Sequence, residues 1–168
     1  NLRVAMRIEH CASADSVDEF TTGNYGVTTT PEVEWYFVVD PTAGLAQLRR
    51  EAYPAETHGL DDDRRRAPRP LSVLHQALEA KNAALAALGE PTLLEEEALA
   101  GCLYTGPMFE KYNLVCRASI EEAPPFITEK VAQSCKGNRY STTLHVLNSL
   151  IVKCSKLTEV SPVYRGAK

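Results

Sequence analysis

The residues most suggestive of chemistry lie near the end of the sequence, in Val163-Tyr164-Arg165-Gly166. Apolar and large polar residues alternate there, and the preceding Ser161-Pro162 disfavours a continued helix, so the pattern predicts a short strand. The arginine of such a strand can bind an anion. Because no later strand of this sequence can pair with it, we expect its partner strand to come from outside the sequence.

Other residues with catalytic or metal-binding side chains are spaced for structure rather than chemistry. The histidines at 10, 58, 75 and 145 are scattered, without a Cys, Asp or Glu at metal-ligand spacing on a shared face, so we predict no metal site. His145 is a conceivable buried base, although a structural role is favoured. The carboxylates of Glu95-Glu96-Glu97 point about 100° apart on a helix and cannot share a site, so we interpret them as a solvated first turn. We predict no catalytic residue.

One internal segment, Leu103–Asn113, is dense in aromatic and hydrogen-bonding groups around Gly106-Pro107. The Gly-Pro pair explains the break, and the tyrosines can pack with their hydroxyls reaching water or backbone, so packing is favoured over ligand contact. No glycine-rich phosphate loop, His-Glu-x-x-His helix or Gly-x-Ser-x-Gly elbow is present. The common enzyme motifs are therefore missing from this sequence.

The strongest helix signal directly precedes the terminal strand, in Asn138–Leu157. Ser141 or Thr142 is suited to cap this helix, and we expect it to end near Leu157. Its apolar residues recur at helical spacing and predict one broad buried face. That face consists of Leu144, Leu147, Ile151 and Cys154, widened by Val146, Leu150 and Leu157.

The fold class predicted is mainly α, with about five helices, a short early extended segment and a C-terminal strand; it becomes α+β if the chain continues. Apolar spacing predicts a helix over 71–88 with Gly89 as its C-cap. A second helix is predicted to begin at Thr92, because the Thr-x-x-Glu pattern there indicates a capping box. Further helices are predicted over 108–117 and 125–135. In Glu34–Val39, aromatic and β-branched residues favour a strand, with a helical turn as the alternative.

We expect one compact domain in three parts. Residues 1–55 form an irregular N-terminal arm with a short strand and a short helix, and 56–70 form a charged, exposed loop. Residues 71–168 form a helical lobe ending in the strand. A length of 168 residues with 44% apolar content suits one core.

Composition narrows the class of partner and the compartment. The net charge of -4 and pI near 5.6 disfavour direct nucleic-acid binding. The odd number of five cysteines, without a Cys-x-x-Cys pair, favours reduced thiols inside a cell. The longest apolar run, Trp35 to Val39, is too short to span a membrane. The sequence begins with Asn1 rather than Met, which is typical either of a removed targeting segment or of a partial sequence. We expect an intracellular protein that is cytoplasmic or, after removal of a transit peptide, organellar.

Three of these segments together resemble the helical lobe and first strand of ADP-ribosyltransferase-like proteins of the Arg-Ser-Glu class. They are Leu103–Asn113, Asn138–Leu157 and the terminal Val163-Tyr164-Arg165-Gly166, so the resemblance covers roughly the second half of the chain. It implies that Arg165 binds NAD through phosphate and ribose oxygens, that Tyr164 shapes the site and that Gly166 allows close backbone approach.

The same class also has a later Ser-Thr-Ser strand and a Glu-x-Glu glutamate that stabilises positive charge on the ribose as nicotinamide leaves. This sequence contains neither after Arg165. Ser141-Thr142-Thr143 and Glu32-Val33-Glu34 come earlier, so those roles are not transferred to them. NAD is therefore expected only in a complete transferase domain, and we expect this sequence alone to be inactive.

The alternative is a non-catalytic accessory or scaffold subunit of a larger, possibly organellar, assembly. In that case the protein partner would bind the C-terminal strand and the N-terminal arm, because an exposed strand edge readily accepts another strand.

Overall fold

The computed structural model describes residues 1–12, 29–39 and 71–159. Within these ranges the chain is mainly helical, with seven α-helices and no strand. One turn of 3₁₀ helix, Ser155–Leu157, continues the last of them. The α-helices are α1 (Leu2–Cys11), α2 (Pro31–Val39), α3 (Leu71–Ala87), α4 (Glu95–Tyr104), α5 (Phe109–Ala118), α6 (Pro125–Cys135) and α7 (Ser141–Cys154).

Helices from both ends of the chain build the core. α4 packs along α7, α5 pairs with α6, and α1 lies against both α2 and α7. The two helices approach closely at Gly101, where a Cβ would lie 2.7 Å from Cδ2 of Leu150. The largest fully buried side chains of the core cluster are Met6, Trp35, Leu99, Leu103, Met108, Tyr112 and Tyr140.

The prediction of an irregular N-terminal arm is wrong for residues 2–11, which form α1. The side chain of Asn1 accepts a hydrogen bond from the amide of Arg3 at 3.1 Å and so caps the helix. Met6 and His10, one turn apart, are both 0% exposed. A cap and a buried face are sufficient to hold this short helix against the core.

The predicted strand at Glu34–Val39 is helical and belongs to α2. Thr30 accepts a hydrogen bond from the amide of Val33 at 3.3 Å, and Pro31 occupies the first position, which proline tolerates. Apolar residues lie on nearly all sides of this helix, because it is buried among its neighbours rather than half exposed. A 3.6-residue periodicity is therefore missing, and the β-branched and aromatic composition was misleading. With α1 and α2 added, the predicted number of about five helices is too low.

Helices α3 to α7 form where apolar spacing predicted them, but the buried face of α7 differs from the prediction. The predicted face of α7 is wrong at Ile151, which is 54% exposed; the side chains buried on α7 are Thr143, Val146 and Leu147. At the end of α3, Gly89 adopts a φ of 71° and ends the helix as predicted.

Several predictions lie outside the described residues. They are the strand at 163–166, the short helix that begins at Thr42, and the charged loop at 56–70. None of the helices in the described residues is long and apolar enough to cross a bilayer.

Candidate functional site

The three predicted NAD-binding residues, Tyr164, Arg165 and Gly166, lie outside the described residues, so this site stays a prediction. The other two segments that carry the resemblance are described, and they meet in the interior. Tyr112 of α5 and Tyr140, which directly precedes α7, have ring centroids 5.4 Å apart in an edge-to-face contact.

Four ring side chains, which we call the aromatic cluster, are buried where α1, α2, α5 and the start of α7 meet. They are His10, Trp35, Tyr112 and Tyr140, and none is more than 2% exposed. The His10 ring centroid lies 5.2 Å from that of Trp35, 6.1 Å from that of Tyr112 and 5.4 Å from that of Tyr140. The imidazole therefore contacts all three aromatic rings.

Hydrogen bonding fixes the tautomer of His10. Its Nδ1 lies 2.6 Å from the carbonyl oxygen of Met6, which can only accept, so Nδ1 carries the proton and donates. Nε2 lies 2.6 Å from the hydroxyl oxygen of Tyr112 and in the neutral ring has a lone pair, so the tyrosine donates to it. Burial lowers the pKa of His10 to about 4. Burial also raises the pKa of Tyr112 well above its usual value, with smaller contributions from Tyr140, Glu9 and Glu34. Both side chains are neutral at pH 7.

This geometry joins helices rather than performing catalysis. The Nε2 lone pair of His10 is already occupied, and both members of the hydrogen bond are 0% exposed, so neither can reach a substrate in solution. For the Leu103–Asn113 segment, the preference for packing is confirmed at Tyr112. Tyr104, the other tyrosine of that segment, is 37% exposed.

A second contact of α1 caps α7. The carboxylate of Glu9 accepts hydrogen bonds from the amide of Thr142 at 2.6 Å and from the amide and hydroxyl of Thr143 at 3.0 and 2.7 Å. A carboxylate at this position satisfies unpaired amides and the positive end of the helix dipole. The prediction that Ser141 or Thr142 caps α7 is wrong, because Tyr140 is the N-cap residue and makes no side-chain cap bond.

We expect Glu9→Ala to lower the free energy of unfolding by about 2 kcal/mol, because α7 loses its cap and the Thr143 hydroxyl loses its acceptor. Urea unfolding followed by circular dichroism measures the change. Glu129→Ala, an exposed glutamate of α6, is the matched control and should cost less than about 0.5 kcal/mol. Equal effects of the two substitutions would contradict the capping role.

A third polar contact lies between α4 and α7, around Glu97. Its carboxylate pairs with the ammonium of Lys153 at 2.9 Å, accepts from the amide of Leu94 at 2.7 Å, and accepts from the hydroxyl of Ser149. Burial raises the pKa of Glu97, but these three donors outweigh it and leave the pKa below its usual value. The interpretation of Glu95-Glu96-Glu97 as a solvated first turn is therefore wrong for Glu97, which is 2% exposed. The capping interaction is likewise at Leu94 and Glu97, not at the predicted Thr92 and Glu95.

The remaining candidate residues make no site in the described part of the chain. His145 is exposed, so it is not a buried base. His75 is partly exposed and lies 3.6 Å from a carboxylate oxygen of Glu95. Across residues 1–12, 29–39 and 71–159, no group of three or more His, Cys, Asp or Glu side chains could hold a metal ion. The five cysteines, all of which lie in the described ranges, form no disulfide with one another.

Sequence reasoning missed the importance of Glu9 and His10. The local signal was available in part, since Asn1 is a good N-cap and Met6 and His10 have helical spacing. Their contacts could not be predicted, because Tyr112 and Thr143 lie 102 and 134 positions later in the chain.

The sequence was compared with models of protein families, with curated proteins and with solved structures, and none of them matches.

Proposed function

We propose that this chain is the helical lobe of an ADP-ribosyltransferase-like protein, and that in the complete protein Arg165 binds NAD. The proposal rests on the resemblance of three segments. The observation that carries it furthest is that two of them, 103–113 and 138–157, are separate in sequence and yet pack together through Tyr112 and Tyr140. Segments that belong to one lobe of one family are expected to make this kind of contact.

The proposed chemistry of Arg165 is recognition of an anion. A guanidinium donates a planar fork of hydrogen bonds to the phosphate oxygens of a dinucleotide and stays charged at any physiological pH. Tyr164 would contribute shape on one side, and Gly166 would let the backbone approach the ligand. The roles of the Ser-Thr-Ser strand and of the Glu-x-Glu glutamate are given to no residue of this sequence. The proposal therefore concerns NAD binding and not the transfer of ADP-ribose.

NAD titration of the natural full-length protein tests the proposal. We expect NAD to bind the parent protein. Arg165→Ala should raise the dissociation constant at least about tenfold, because a charged hydrogen-bonded contact is lost. Arg139→Ala, which removes an exposed arginine preceding α7, is the matched control and should leave NAD affinity unchanged. A parent protein that does not bind NAD, or an Arg165→Ala variant with the parent's affinity, would contradict the proposal.

The intact mass of the natural protein and the sequence of its C-terminal peptide add an independent test. The proposal expects a further portion of roughly 100 residues or more that carries a Ser-Thr-Ser strand and a Glu-x-Glu turn. A natural chain that lacks both would leave Arg165 without the rest of a nucleotide site, and the transferase proposal would then fail.

A second candidate function is a non-catalytic accessory or scaffold subunit that binds protein. It is favoured by exposed apolar side chains on two helices: Val4 and Ile8 of α1 are 52% and 62% exposed, and Ile151 and Val152 of α7 are 54% and 64% exposed. Apolar surface of this kind commonly contacts protein. The NAD titration separates the candidates, because a scaffold has no reason to bind the dinucleotide.

A further inference from the structure

One exposed apolar surface of α1 includes a positive charge that has no carboxylate partner among the described residues. We call Val4, Arg7 and Ile8 the α1 ridge. The guanidinium of Arg7 donates to the hydroxyl of Tyr36 at 3.0 Å and lies 5.8 Å from the centre of its ring. Within the described residues Arg7 makes no ion pair, so its charge is held in position without being neutralised.

A second exposed apolar surface has the opposite charge. Ile120, in the turn between α5 and α6, is 64% exposed, and Phe126, in the first turn of α6, is 65% exposed. We call the segment from Ile120 to Phe126 the hairpin tip. Glu121 and Glu122 lie between them, are exposed, and pair with no cation of the described chain. A hydrogen bond from the amide of Ala123 to the carbonyl of Ile120 at 3.1 Å holds the turn.

We propose that the α1 ridge of one copy of this chain binds the hairpin tip of a second copy. Each surface combines two exposed apolar side chains with one sign of charge, so ridge against tip buries apolar area and pairs Arg7 with Glu121 or Glu122. Ridge against ridge, or tip against tip, would instead bring like charges together. The proposed contact is therefore heterologous: every contact between two copies uses the ridge of one copy and the tip of the other.

The apolar pair exposed on α7 is less suited to bind the hairpin tip. Ile151 and Val152 lie beside two lysines, but Lys153 is already paired with Glu97 at 2.9 Å and Lys156 with Glu90 at 3.5 Å. Each of these lysines lies beside a carboxylate, whereas Arg7 has none among the residues that the structure describes. Charge complementarity therefore selects the ridge as the surface for the acidic tip.

Sedimentation equilibrium of the chain and two single variants tests this contact. Ile8→Glu breaks the ridge and Phe126→Glu breaks the tip; both side chains are exposed, and circular dichroism checks that the variants fold. We expect the parent's average mass to rise with concentration, with a Kd on the order of 0.1 mM, and each variant to stay monomeric. An equimolar mixture of the variants should form dimers, because one supplies an intact tip and the other an intact ridge.

Leu88→Glu, at an equally exposed apolar site near the end of α3, is the control and should associate like the parent. Sodium chloride at about 1 M should weaken the parent's association, since the Debye length falls to about 3 Å. A parent that is monomeric up to about 1 mM, variants that associate like the parent, or a mixture that stays monomeric would each overturn the proposal. Association of one of the two variants alone, at the parent's strength, would indicate a contact between like surfaces.

Discussion

Replacing Lys153 with methionine is expected to lower the free energy of unfolding by about 3 kcal/mol, because the carboxylate of Glu97 then stays buried without its cation. The side chain of Glu97 is 3% exposed and that of Lys153 20%, so water replaces little of the lost interaction. Lys153 also donates to the carbonyl of Thr92 at 2.9 Å, and this bond is lost too. Urea unfolding measures the change.

Lys156→Met is the matched control for this prediction. Lys156 pairs with Glu90 at 3.5 Å, but the two side chains are 51% and 33% exposed, and the loss should be below about 1 kcal/mol. Adding Glu97→Gln to Lys153→Met should recover part of the stability, because a neutral amide costs less to bury than an unpaired carboxylate. Equal losses for Lys153→Met and Lys156→Met would contradict the account of a buried pair.

The second large effect is a loss of stability on acidification that depends on His10. Its pKa is about 4 in the folded protein and near 6.5 in an unfolded chain. Below pH 6.5 the unfolded state therefore binds the proton that the folded state excludes. The stability contributed by the neutral imidazole is complete above pH 6.5 and is lost as the pH falls through 4, by about 3 kcal/mol in total.

Urea unfolding at several pH values between 7 and 4 measures this loss, and the His10→Met variant should show a smaller dependence on pH than the parent. His145→Gln, at an exposed histidine of α7, should keep the parent's dependence. The imidazole signal of His10 in NMR provides a direct reading and should stay that of a neutral ring until the pH approaches 4. A midpoint near pH 6.5 in the NMR titration of His10 would contradict a buried imidazole that is hydrogen-bonded to Tyr112.

The local parts of this fold could be predicted from the sequence. Helices α3 to α7 follow from apolar spacing and from boundary residues such as Gly89, whose φ of 71° suits a glycine. α2 could not be predicted in this way, because a helix buried on most sides has no polar face to reveal its period. α1 was missed because a single turn of spacing between Met6 and His10 is a weak signal.

The polar contacts could not be predicted, because each joins residues far apart in the chain. Nothing near Glu9 indicates that its carboxylate caps a helix 133 positions later, and nothing near Glu97 indicates Lys153 as its partner. The residue type of Glu97 suggested a solvated glutamate, and its burial followed only from the way α4 and α7 pack. NAD binding by Arg165 stays a prediction from the sequence, because this residue lies outside the described residues.

The contacts of α1 also have a consequence for the order of events during synthesis. The amide that Glu9 binds belongs to a residue 133 positions later, and the hydroxyl that His10 binds to one 102 positions later. At a translation rate of about 5–20 residues per second, the N-terminal helix leaves the ribosome roughly 10 s before its last partner is made. Throughout that interval Met6 and His10 have no finished core to enter, so the nascent chain exposes α1 to chaperones until α7 has been made.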